Sequence, residues 1–182
     1  MRVIGFVGSP RKDGNSAALV RQALAGASAA GAETTIFYLN DMNIRGCQAC
    51  MSCKGEGKRC RQADGMQELY DEITAADGIV IGSPVYMGYV SGQTKIFLDR
   101  LYAFYNPDLS SKLPKGKKAA LVVSQGYSDG NAYGRAFEAV EHTLKTLGME
   151  VPDRLVAAGI PDVTKHEELM KKAYEIGKKL VK

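Results

Sequence analysis

The sequence predicts an α/β protein, a doubly wound parallel sheet with helices on both faces. Three observations lead there. Short apolar runs alternate with amphipathic stretches along the whole chain, five of each. No repeat, linker or low-complexity segment interrupts that alternation. The 182 residues, 45% hydrophobic and 24% charged, also match one ordinary domain over residues 1–182, which argues against a disordered chain and needs no staples.

In order, Val3 to Val7 reads as a buried strand. Asn15 to Ala30 reads as a helix with Val20, Leu24 and Ala27 on one face. Thr34 to Leu39, β-branched and aromatic, is the second strand. Asp64 to Ala75 is a helix: Asp64 is placed to cap it, Gln67 completes a capping-box-like pair, and Met66, Leu69, Tyr70 and Ile73 share a face. Ile79, Val80 and Ile81 form a third strand, followed by a helix from Ser91 to Phe104 with Phe97, Leu101 and Phe104 inward. Ala119 to Val123 is the fourth strand, and Phe137, Val140, Leu144 and Leu147 mark the fourth helix. Leu155 to Ala157 is the fifth strand, before a last helix carrying Leu169, Ala173, Ile176 and Leu180 inward.

Sheets of this kind bind ligands beyond the carboxyl ends of their strands, where strand order reverses. The loops after the first, third and fourth strands therefore meet at one site. The first, Gly8 to Ser16, leaves a buried strand and opens a helix. Its glycines, hydroxyls and helix amino terminus suit an anion, and Arg11 adds a bidentate phosphate donor. It is neither a Walker A loop nor a G-x-G-x-x-G fingerprint. A turn selected for geometry and capping alone would look similar, but Ser9, Arg11, Asn15 and Ser16 together favour phosphate. The second loop, Ser83 to Ser91, offers Pro84, Val85, Tyr86, Met87 and Gly88 as a wall for a flat aromatic ligand. On chemistry alone, burial under the next helix explains it equally well. The third, Ser124 to Gly130, brings small polar groups and Tyr127. Phosphate at one loop and a planar ring at the next describe a mononucleotide such as FMN.

The net charge of +4 is unevenly placed. From Thr164 onward six lysines face three glutamates. With no interleaved aromatics, this reads as the solvated face of a last helix and not as a nucleic-acid surface. From Ile44 to Arg61, Arg45, Lys54, Lys58, Arg59 and Arg61 face only Glu56. That second surplus coincides with the four cysteines of the chain, Cys47, Cys50, Cys53 and Cys60, in the pattern C-x2-C-x2-C-x6-C. Disulfides fit poorly without a secretion signal. Structural zinc generally uses two separated C-x2-C knuckles. Three cysteines at consecutive three-residue steps resemble the ferredoxin spacing around a cubane cluster. An iron–sulfur cluster, zinc, and free or redox-active thiols all remain open on spacing alone. The basic residues would offset a thiolate-bound cluster or tetrathiolate zinc equally, and would attract an acidic electron carrier.

Taken together, GSPRKDGNS, the four-cysteine loop and SPVYMGYVSGQTKIFLDR resemble the iron–sulfur flavoprotein family, within the flavodoxin-like NADPH-dependent FMN reductase group. The likeness is strongest from Met1 to Arg100, and the complete cysteine set is its most specific part. The resemblance implies a flavodoxin-like sheet of order 2-1-3-4-5, with an FMN and a [4Fe–4S] cluster in each subunit of a homodimer or homotetramer. By position, Ser9, Arg11, Asn15 and Ser16 would hold the phosphate. Pro84, Val85, Tyr86, Met87 and Gly88 would line the ring, Ser124, Gln125, Gly126 and Tyr127 would complete the pocket, and Cys47, Cys50, Cys53 and Cys60 would ligate iron. Met87 departs from the bulkier or aromatic residue common at this position. The Lys95 to Arg100 stretch is read as helix packing and subunit contact, and His142 and His166 as surface residues on helices.

The expected function is electron transfer between a ferredoxin-like carrier or NAD(P)H and a small two-electron acceptor. No side chain is assigned as general acid or base. The rivals are a cluster-free NAD(P)H-dependent FMN or quinone reductase and a zinc-knuckle nucleic-acid-binding protein. No apolar run is long enough for a bilayer, and the amino-terminal apolar stretch is too short for a signal peptide, so the expected location is the cytoplasm.

Overall fold

The computed structural model describes residues 1–55 and 58–181; Glu56 and Gly57 in the cysteine loop, and Lys182 in the terminal lysine cluster, lie outside the described residues. The chain runs β1 (Arg2–Val7), α1 (Asn15–Ala29), β2 (Glu33–Tyr38), α2 (Met66–Ala75), β3 (Gly78–Tyr86), β4 (Tyr89–Val90), α3 (Gly92–Arg100), β5 (Lys118–Gln125), α4 (Gly134–Thr146), β6 (Glu150–Ala158) and α5 (Glu167–Lys179). Five strands are parallel in the order β2-β1-β3-β5-β6, and β4 pairs antiparallel with the end of β3. This is the predicted order 2-1-3-4-5 with one short hairpin strand added.

Alternation along the strands makes the core two-sided. In β1, Val3 and Val7 join Val20, Leu24, Val80, Val122, Ala173 and Ile176 on the α1–α5 face. Ile4 and Phe6 point the other way, to Met66, Leu69, Ile73, Phe97, Phe137 and Leu144. Side chains successive along a strand lie on opposite faces, so a strand buried on both reads as a continuous apolar run.

Where α1 meets α5 the backbones nearly touch. A Cβ built on Gly177 would lie 1.7 Å from the Ala23 carbonyl oxygen, and one on Gly26 would lie 1.9 Å from that of Tyr174. Gly177→Ala is therefore expected to destabilise the fold by about 1–3 kcal/mol through overpacking, despite a helix-propensity gain of about 1 kcal/mol. Urea unfolding checks this; an unchanged midpoint would contradict the close contact.

Several expected boundaries shift for identifiable reasons. The last strand is nine residues long, not three, because it begins at Glu150, runs through Pro152 and ends at Ala158. Its register shifts between Glu150 and Asp153, so Pro152 sits in an edge-strand irregularity where no ladder donor is needed. The third helix ends at Arg100 and tightens into a 3₁₀ turn over Leu101–Phe104. Gln67 does not complete a capping box: its amide donates to the carbonyls of Cys60 and Gln62. Asp64 does accept from the Met66 N–H at 3.1 Å, although Gly65 holds the cap position.

His142 is exposed on α4, while His166 caps α5 by accepting from the Leu169 N–H. Among the described residues the terminal lysines form a solvated face, with Lys172 and Lys178 paired to Glu168 and Glu175. Among the described residues no helix is long and apolar enough to cross a membrane.

Candidate functional site

Beyond the carboxyl ends of the central strands lies a cleft of about 560 Å³. That is ample for a small cofactor. It is lined by Ser9, Arg11, Asn15 and Ser16 from the first loop, Pro84, Val85 and Tyr86 from β3, and Ser124, Gln125 and Gly126 from the end of β5. Ten of the thirteen residues expected at the flavin site thus meet at one place.

The first loop leaves β1 at Gly8 and enters α1 at Gly14, whose cap position carries no side-chain hydrogen bond. The free N–H groups of the first turn and the positive end of the helix dipole remain for an anion. Ser9 is buried, and its Oγ accepts from the Arg11 N–H at 3.1 Å, which tightens the turn. Arg11 borders the cleft, whereas Lys12 turns away to pair with Asp41 at 2.6 Å. Ser16 and Ser124 share a hydroxyl hydrogen bond of 2.8 Å across the floor.

Asn15 lines the cleft, and its side chain is also engaged within the chain. Its amide donates to the Ile160 carbonyl at 2.8 Å and accepts from the Val163 N–H at 3.1 Å. The side chain therefore anchors the loop after β6. That loop adds Ile160, Pro161, Asp162 and Thr164 to the lining, as the first loop adds Asp13 and Gly14. Sequence reading missed the β6 loop because nothing in its residue types signals a binding surface.

The second wall is a hairpin and not an irregular loop. β3 continues through Tyr86, turns at Met87 and Gly88, and returns as Tyr89–Val90. Both turn residues have positive φ, 49° and 80°, as in the turns that match strand twist. Gly88 adopts this freely, while Met87 is held there and projects fully into solvent. Beneath the hairpin, Ser83, Ser91 and Thr94 form a buried hydroxyl network. Ser91 Oγ donates to the Gly8 carbonyl at 2.6 Å, and the Ser91 N–H donates to Ser83 Oγ at 3.0 Å. The hairpin and the first loop are thereby fixed to each other.

At the third side, the Gln125 amide donates to the carbonyls of Tyr127 and Asp129, curling the loop after β5. Its Oε1 is buried without a partner among the described residues. A buried unpaired acceptor bordering a cleft is costly unless a ligand donor meets it. Met87, Gly88 and Tyr127 do not line the cleft: the first two are the hairpin turn, and Tyr127 is exposed, edge-on to Tyr133.

The four cysteines occupy the long connection between β2 and α2. Cys47 and Cys50 are exposed, Cys53 is buried and Cys60 is half-buried against the core. The Ser52 hydroxyl, 3.2 Å from Cys50 Sγ, holds that thiol below its ordinary pKa. Ala49 and Met51, between the cysteines, both have positive φ. The donor chemistry suits a thiolate-bound group. In the arrangement described, however, no three His, Cys, Asp or Glu side chains gather around one point among the described residues.

The surrounding cations are not all free to offset charge. Lys54 donates to the carbonyls of Tyr102 and Tyr105 and lies 3.6 Å from the Tyr102 ring centre. It adds a donor to the Tyr102 carbonyl, which also accepts from the Tyr105 N–H, and meets the Tyr105 carbonyl just past the 3₁₀ turn. Arg59 pairs with Asp71, whereas Arg45 and Arg61 flank a hollow at Cys50.

Sheet order and cleft together place the chain among flavodoxin-like proteins, whose mononucleotide site lies where β1 and β3 part. The chain belongs to the NADPH-dependent FMN reductase family, flavin-dependent oxidoreductases whose family model matches residues 1–160. An iron–sulfur flavoprotein of Methanocaldococcus jannaschii is 46% identical over 100 residues, covering 55% of this chain and 51% of that protein. An iron–sulfur flavoprotein of Methanosarcina thermophila is 30% identical over 151 residues, covering 83% of this chain and 76% of the relative. The chain therefore spans about half the length of the first and about three quarters of the second. The NAD(P)H:quinone oxidoreductase from Methanothermobacter marburgensis shares the fold, with a TM-score of 0.74 at 18% identity over 99% of this chain and 96% of that one.

Proposed function

We propose that the protein binds FMN in the cleft and a [4Fe–4S] cluster on the 44–61 loop, and passes electrons between a one-electron carrier or NAD(P)H and a small two-electron acceptor. The observation that carries the flavin half is the convergence of the first loop, the β3 hairpin and the unpaired Gln125 acceptor on one cleft. The first-turn N–H groups of α1, with Ser9, Ser16 and Arg11, would hold the phosphate. Pro84, Val85 and Tyr86 would face the ring, and Gln125 Oε1 would accept from a ring N–H. FMN supplies the redox chemistry, since it can exchange electrons singly or in pairs; the protein supplies position and electrostatics.

The cluster half is supported by the confinement of every cysteine to one loop and by the relatives' name. No residue of that loop lines the cleft. This suits an oligomer in which the cluster of one subunit lies near the flavin of its neighbour. A cluster-free NAD(P)H-dependent FMN or quinone reductase is the second reading, favoured by the lack of any grouping of three His, Cys, Asp or Glu side chains among the described residues.

Arg11→Ala tests the flavin assignment. Losing a charge-assisted phosphate contact, worth about 1.5–3 kcal/mol, should weaken FMN binding roughly ten- to hundredfold without changing the fold. Fluorescence titration of the apoprotein measures it, and unchanged affinity would remove the first loop from the site.

A further inference from the structure

Arg100, the last residue of α3, is the largest fully buried side chain among the described residues. Helix packing does not account for what its guanidinium touches. Nη1 donates to Asp64 Oδ2 at 2.5 Å and to the Arg45 carbonyl at 2.7 Å. Nη2 donates to Asp64 Oδ1 at 3.1 Å and to Cys60 Sγ at 3.4 Å. Arg45 stands at the entrance of the cysteine loop, and Cys60 and Asp64 stand at its exit. Asp64 closes the same ring by accepting from the Arg45 N–H at 3.1 Å, and Gly65 N–H donates to the Asn43 carbonyl at 3.0 Å. One planar fork therefore clasps both ends of the loop and hydrogen-bonds one of its sulfurs. Tyr70 fixes the fork's own backbone, donating to the Arg100 carbonyl at 3.0 Å.

A second fastening holds the middle of the loop. Lys112 Nζ donates to the Cys53 carbonyl at 2.6 Å and to that of Lys58 at 3.1 Å. Cys53 is thus held from the segment between α3 and β5 and Cys60 from the end of α3, while Cys47 and Cys50 stay exposed. The two held cysteines are also the two seated against the core.

We propose that Arg100 is the positioning residue of the thiol loop: it orients Cys60, closes the loop between Arg45 and Asp64, and places a charged N–H donor on the sulfur of whatever metal group that loop carries. This rests on the iron–sulfur reading and deepens it. Hydrogen bonds to ligand sulfur and nearby net charge set cluster potentials, and a cationic donor favours the more reduced, more negative state. Arginine suits the task because its rigid fork makes four contacts at once; lysine, a point charge, cannot.

The test uses two variants, because removing a buried charge can unfold a protein. Arg100→Lys keeps a cation for Asp64 but loses the fork. Arg100→Met combined with Asp64→Leu removes both charges and leaves no buried ion unpaired. In metal-free protein, hydrogen exchange should quicken at loop amides 44–55 and 58–61 in both variants, with sheet amides unchanged. In protein loaded anaerobically with iron and sulfide, a spectroscopically monitored redox titration should show a more negative cluster potential in both variants. The flavin potential serves as the internal control. A variant that keeps flavin but no longer retains iron supports the same assignment. Unchanged loop exchange, or an unchanged cluster potential in both variants, overturns it and leaves a purely structural pair. Failure of the parent protein to take up iron defeats the iron–sulfur reading instead, and the exchange result alone then decides whether Arg100 clasps the loop.

Discussion

Asp64→Ala is expected to destabilise the protein by about 3–5 kcal/mol, the largest effect foreseen for any single side chain here. The side chains of Asp64 and Arg100 are both only 1% exposed. Removing the carboxylate leaves the guanidinium buried and unpaired, and also strips partners from the N–H groups of Arg45 and Met66. The same geometry fixes a pH dependence. Burial pushes the Asp64 carboxyl up, but the hydrogen bonds from Arg100, Arg45 and Met66 outweigh it and hold it below the usual carboxylate range. A depressed folded value contributes stability that is present above the unfolded value, roughly 3.9, and is lost as pH falls through the folded one. Denaturant unfolding between neutral pH and pH 3 should therefore show a steeper acid loss in the parent than in Asp64→Asn. Parallel curves would mean that the pair is not formed in solution.

Replacing Cys50 or Cys53 with alanine is expected to abolish iron binding while FMN stays bound. The cysteine loop contributes nothing to the cleft lining, so the two cofactors should be separable. Cys50 is exposed and its loss should barely touch stability, whereas Cys53 is buried in the core cluster. Agreement between the two variants separates ligand loss from a packing defect. Iron analysis with flavin quantitation on each purified variant provides the measurement; flavin lost together with iron from Cys50→Ala would mean that the loop supports the cleft after all.

What the sequence made legible follows from periodicity and from loops that need particular residue types. The three central strands announce themselves because both faces are buried, and the edge strand β2 through its β-branched and aromatic residues. The first loop stands out because Ser9, Arg11, Asn15 and Ser16 cluster where a strand gives way to a helix. The β3 hairpin was not legible, since its turn puts Met87 at positive φ, a conformation its residue type does not advertise. Long-range partnerships were also hidden. Asp64 looks like a helix cap, and Arg100 like one more charged residue on an amphipathic helix. Only the fold shows that they meet in the interior and reach Cys60. Asn15 lines the cleft as its position predicts, but its side-chain partners, almost 150 residues away, cannot be read from the sequence. Lys54 was expected beside the cysteines' charge and instead serves carbonyls on a neighbouring turn.

The central claim, a flavin and an iron–sulfur cluster in one chain, is most directly tested by purifying the protein without oxygen and measuring flavin, iron, acid-labile sulfide and zinc on the same sample. The account predicts one FMN per chain, iron and sulfide in equal amounts, and a broad cluster absorbance beneath the flavin bands. Flavin with neither iron nor sulfide, before and after anaerobic reconstitution, would contradict it in favour of a cluster-free reductase; a colourless protein holding zinc would contradict the flavin site as well.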